Sequence, residues 1–147
     1  MKQILAAVVA VSAITVSPAM AQNCATGTGM SPSQIQTLVS NKYACVGSSP
    51  NAQWNELHNS SGTTGSVLDY KLGPTSTTDP SDTASHPTGQ YSIKGDGNSG
   101  HPGTITYTYG AQSFAYTVID NLTHPQYSFC GTGGAPPLAV TISAAHC

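Results

Sequence analysis

The chain has 147 residues, only 7% of them charged, and 4 Lys plus Arg against 6 Asp plus Glu give a formal charge of −2. All four cations are lysines, spread along the chain at Lys2, Lys42, Lys71 and Lys94. Nucleic acids and anionic membranes are bound by clustered cations that neutralise phosphates, so neither is an expected partner.

Residues 1–21 carry an early Lys2, an apolar run over residues 4–16, Pro18, and the small-residue ending Ala19-Met20-Ala21. That order predicts a secretory signal peptide cleaved after Ala21, and its apolar run is shorter than the roughly 20 residues that span a bilayer. Removing 21 of the 147 residues leaves 126, enough for one domain with a single core. The expected localisation is periplasmic or extracellular, without membrane insertion.

Four cysteines remain: Cys24, Cys45, Cys130 and Cys147. An even count in an exported chain implies two disulfides, and the close pairs that zinc requires are missing. Short sequence loops favour Cys24–Cys45 with Cys130–Cys147 over the other two connectivities.

Residues 31–42, SPSQIQTLVSNK, form the one good helix candidate. Ser31 suits the N-cap, Pro32 the first helical position and Gln34 the closing member of a capping box, while Ile35, Leu38 and Val39 make one apolar stripe. Residues 43–46 then read as a first strand.

Residues 54–58 and 66–72 are two further strands, and period-two alternation places Trp54, Glu56 and His58 on one face and Asp69 and Lys71 on one face of the next. Two readings stand side by side. The functional one makes His58 or Glu56 a base with Asp69 orienting the imidazole. The structural one is a solvated or salt-bridged strand face. Trp54, with Tyr70 and Lys71, is the candidate ligand-binding set, because Tyr and Trp offer flat apolar faces with one polar tip.

Residues 73–89 lack any apolar period and read as a long Ser/Thr/Pro/Asp/Gly loop. Residues 90–94 are the next strand. Asp96, Asn98 and Gly100 open like a calcium loop but lack its second half. His86, His101 and His124 each precede proline and therefore sit in extended or turn segments without metal-ligand spacing. No metal or cofactor is expected.

Residues 103–120 read as a β-hairpin. Ile105, Tyr107 and Tyr109 alternate with threonines, and the phase resumes after Gly110 as Phe114, Tyr116 and Val118. A two-residue Gly110-Ala111 turn pairs Tyr107 with Phe114 and Ile105 with Tyr116; a loop at Ala111-Gln112 pairs Tyr107 with Tyr116 instead. Residues 127–130 and 138–143 complete the strand set. The terminal Ser143-Ala144-Ala145-His146-Cys147 looks like the histidine segment of chymotrypsin-like proteases. Chain order, length and an interrupted serine motif at residues 95–100 exclude that family.

Eight short strands behind one helix predict an all-β antiparallel meander, closing into a small barrel or sandwich. The order resembles secreted meander barrels of the lipocalin and avidin kind, with Gly89-Gln90-Tyr91 standing where a lipocalin has Gly-x-Trp. Three function classes follow. The leading one is a secreted binding module for a small molecule, a glycan or an envelope or extracellular protein. The others are a self-associating surface protein, suggested by the threonine-rich hairpin face, and a small hydrolase using Glu56, His58 and Asp69.

Overall fold

The computed structural model describes residues 24–25, 27–47, 54–69, 89–95, 101–145 and 147, with the side chains of Trp54, Asp69 and Thr123 left aside. One helix, α1 (Pro32–Val39), precedes eight strands: β1 (Tyr43–Val46), β2 (Trp54–Asn59), β3 (Thr64–Asp69), β4 (Gly89–Lys94), β5 (Thr104–Tyr109), β6 (Gln112–Thr123), β7 (Gln126–Thr132) and β8 (Leu138–Ser143). Each strand pairs antiparallel with the next, and β8 returns to β1, so the meander is a closed barrel. The closing seam pairs Tyr43 with Ser143, Ala44 with Ile142 and Cys45 with Thr141. The expected signal peptide, the 73–88 loop, the residue 96–100 segment, and Tyr70, Lys71, His86 and His146 lie outside the described residues.

The capping box forms as the sequence predicts. The Gln34 amide donates to Ser31 Oγ at 3.4 Å, and the Ser31 amide donates to Gln34 Oε1 at 2.8 Å. Ile35, Leu38 and Val39 are buried, joining Tyr91, Ile93 and Ile105 in the core. A side chain on Gly103 would crowd the Pro32 backbone and Ile35, so β5 starts directly beneath the helix. Two more bonds hold α1 at this end: Gln36 Nε2 donates to the Ser61 carbonyl at 2.8 Å and the Asn41 amide to the Ser60 carbonyl at 3.2 Å.

The β5–β6 hairpin adopts the register of the Gly110-Ala111 turn, with Tyr107 opposite Phe114 and Ile105 opposite Tyr116. Gly110 sits at φ +58, the positive value that a two-residue turn of this kind demands at its first position. Ile105, Tyr107, Tyr116 and Val118 point inward with at most 4% exposure, while Thr106 and Thr108 face outward. The core is continuous from α1 through Tyr107, Tyr116 and Phe129 to Val140 and Ile142.

The disulfides correct the expectation from sequence spacing. Cys24 bonds to Cys130 and Cys45 to Cys147, closing separations of 106 and 102 residues rather than two short loops. Sheet register decides proximity here. The N-terminal arm runs along β6, where the Met30 amide donates to the Val118 carbonyl at 2.7 Å, and this delivers Cys24 to β7. Cys45 lies on the β1–β8 seam, beside the strand that leads into Cys147. By the chain-entropy argument, a loop of about 100 residues contributes on the order of 4.7 kcal/mol, more than a short loop does. Two disulfides place the protein in an oxidising extracellular or periplasmic environment. Among the described residues no helix is long and apolar enough to cross a membrane.

Proteolysis without reduction, followed by mass mapping, will yield peptides linking Cys24 to Cys130 and Cys45 to Cys147. Recovery of a Cys24–Cys45 peptide would contradict this fold. In urea unfolding, Tyr107→Ala will lose roughly 3–5 kcal/mol and Thr106→Ala less than about 1 kcal/mol. Equal losses would mean the hairpin faces are reversed.

Candidate functional site

The acid/histidine pair of β2 points into the barrel. Glu56 is 7% exposed and His58 is 0% exposed, so they belong to neither a solvated strand face nor an open cleft. The reason lies in register: Ala44, a buried residue of β1, faces Glu56, while the half-buried Leu57 takes the outward position opposite Tyr43. Asn55, on the opposite face of β2, is also buried, and its Oδ1 accepts the Cys147 amide at 3.4 Å. The C-terminal residue thus covers the outside of β2, a contact that nothing in the local sequence signals.

Glu56 and His58 each meet a tyrosine hydroxyl, and His58 also meets a backbone carbonyl. The Lys42 carbonyl accepts from the His58 backbone amide at 3.0 Å and lies 3.3 Å from His58 Nδ1. A carbonyl only accepts, so Nδ1 carries the proton and Nε2 accepts from the Tyr107 hydroxyl at 2.8 Å. Tyr91 and Tyr107 pack edge-on against the imidazole, with ring centroids at 5.0 and 5.6 Å. Nearer the other end of the barrel, the Tyr109 hydroxyl bonds both Glu56 oxygens at 2.7 and 2.8 Å. Gly89 makes room for this bond, since a side chain there would collide with the Tyr109 ring.

Electrostatics follow from this enclosure. Burial lowers the His58 pKa to about 4, outweighing the opposing effect of the Lys42 carbonyl, so the ring is neutral at physiological pH. The Tyr107 hydroxyl is pushed well above its ordinary value by burial first and by Glu56 second, which keeps it a proton donor to His58. With both ring nitrogens engaged and the residue fully buried, His58 serves here as a packing and hydrogen-bonding group. Asp69 holds the register position opposite Glu56. Trp54 opens β2 opposite Val46, while Tyr70 and Lys71 lie outside the described residues. Among the described residues no cluster of three or more metal-ligating side chains occurs.

Among the described residues the interior is filled by side chains, and a void of about 10 Å3 lined by Glu56, Tyr107 and Tyr116 with apolar neighbours is the space of about one water molecule and not of an organic ligand. The outside is different. Thr64, Ser66, Gln90, Ser92 and Thr108 line a depression of about 360 Å3 across β3, β4 and β5, with Gly65 and Tyr91 between them. Register builds this surface, because Thr64 faces Ser92, Ser66 faces Gln90, and Gln90 in turn faces Thr108.

Compared with known proteins, the chain matches no family model, no curated protein and no solved structure. The likeness to lipocalin and avidin barrels is therefore one of strand number and meander order alone. Within it, Gly89-Gln90-Tyr91 belongs to β4, where Tyr91 is 2% exposed and its hydroxyl reaches the Ser60 and Gly62 carbonyls at 3.3 Å each.

The buried histidine makes stability depend on pH. In the unfolded chain His58 takes up a proton near pH 6.5, whereas the folded chain resists until about 4. Its contribution is fully present above pH 6.5 and shrinks as pH falls to 4, by about 3 kcal/mol in all. His58→Gln will lack that segment of the curve, read as the difference between wild-type and variant urea midpoints from pH 7 to 4. Parallel curves would show that His58 is not buried neutral.

Proposed function

We propose that the protein is a secreted binding module that engages its ligand on the outer face of the barrel rather than inside it, and that the ligand is a neutral glycan. The observation that carries this reading is the contrast between an interior with about 10 Å3 to spare and an outer depression of about 360 Å3. The polar lining of that depression is uncharged: the hydroxyls of Thr64, Ser66, Ser92 and Thr108 and the carboxamide of Gln90, each both donor and acceptor. Such a surface suits the hydroxyls of a sugar, which also donate and accept, and offers nothing to a strongly charged ligand. The signal-peptide pattern of residues 1–21 and the two disulfides support a secreted protein. The location of Glu56 and His58 favours this reading over hydrolysis, since both serve the packing of the core.

Titration calorimetry against a panel of neutral and charged oligosaccharides tests the proposal. A neutral member will bind, and Gln90→Ala and Thr108→Val will each weaken it by about 3–10-fold, the effect of one lost hydrogen bond, without shifting the melting temperature. Binding confined to charged sugars, or unaffected by either substitution, would overturn it.

A further inference from the structure

Tyr116 is 1% exposed, yet its hydroxyl has no hydrogen-bond partner among the described residues. Buried hydroxyls are almost always bonded to protein or to ordered water, so an orphan of this kind marks a missing partner. The void of about 10 Å3 lies against the same residue, and Glu56 and Tyr107 share its wall with Ala44, Val46, Phe129, Leu138 and Val140. The Glu56 charge acts on both the Tyr116 and the Tyr107 hydroxyls, so the three polar groups converge on one region.

We propose that this void is a binding site for a single ordered water, which accepts from the Tyr116 hydroxyl and donates to the Glu56 carboxylate and to Tyr107 Oη. The donor and acceptor roles agree. Tyr107 has already committed its proton to His58 Nε2, so its oxygen is left as an acceptor. The Glu56 carboxylate, on the wall of the same void, accepts only, so a water there meets it as a donor. Three bonds are what a buried water ordinarily makes, and the volume is that of one probe sphere. A bare cation would take oxygen lone pairs but leave the Tyr116 proton without an acceptor. Water satisfies all three groups.

The consequence is a continuous internal chain: Tyr109 to Glu56, through the water to Tyr107, then to His58 Nε2 and from Nδ1 to the Lys42 carbonyl. It runs from the Leu138 and Val46 end of the barrel to the end beneath α1. Each proton in it has one direction, which couples the neutral state of His58 to Glu56 through the bound water.

Oxygen-17 magnetic relaxation dispersion on the full-length folded protein counts long-lived internal waters, and a high-resolution crystal structure places them. The wild type is expected to hold a water with contacts to Tyr116, Glu56 and Tyr107 in the ordinary range of about 2.5–3.0 Å for O–H···O bonds. Tyr116→Phe removes the donor and Ala44→Val fills the void, so each will lower the count by one; should one variant fail to fold, the other carries the test. An empty void in the wild type, an anomalous scatterer there after a rubidium soak, or an unchanged water count in a folded variant overturns the proposal.

Discussion

Closure of the sheet between β1 and β8 is the constraint on which the other features rest. An open eight-stranded meander would leave two edges whose amides and carbonyls invite pairing with other chains, and closure removes both. The seam is short, with β1 contributing only four residues, and Cys45 lies within it. The bond to Cys147 fastens the chain end to that seam, and Cys24 fastens the N-terminal arm to β7. Both disulfides therefore reinforce contacts between elements distant in sequence, where local propensity gives no help.

Closure also determines what the interior can hold. Eight strands leave space that side chains can just fill, and here aromatic rings fill it. Tyr107, Tyr116 and Phe129 pack in tilted and edge-on contacts with centroids near 6 Å. Tyrosines bring hydroxyls with them, and each buried hydroxyl requires a partner. Glu56 and His58 supply two of those partners, which ties the buried ionisable groups of β2 to the aromatic core. On the outside, the hydroxyl-rich side over β3 to β5 has no Asp, Glu, Lys, Arg or His in its lining.

Much of the fold was legible in the chain because local rules agree there. The strict alternation from Ile105 to Val118 fixes a face, Gly110 fixes a turn, and Ser31 with Gln34 fixes a helix start. The cysteine pairing was not legible, since separation in sequence says little about proximity once β8 has folded back onto β1. The inward turn of Glu56 and His58 was missed because charged residues are rarely buried alone. A signal was nonetheless present: Tyr107 and Tyr109 share the aromatic face of the hairpin, and their hydroxyls demand polar partners inside. Strand limits moved by a few residues, most in β3, which begins at Thr64 because Thr64 and Gly65 pair with Ser92 and Tyr91 of β4 before the pairing with β2 starts at Ser66.

Closure itself is most directly tested by residue-resolved amide hydrogen exchange. If β1 and β8 form a true seam, their mutually bonded amides will exchange nearly as slowly as those of the central β5–β6 hairpin, because both would open only with the whole barrel. Rapid exchange along β1 and β8 beside a protected β5–β6 hairpin would describe an open sheet and contradict the account.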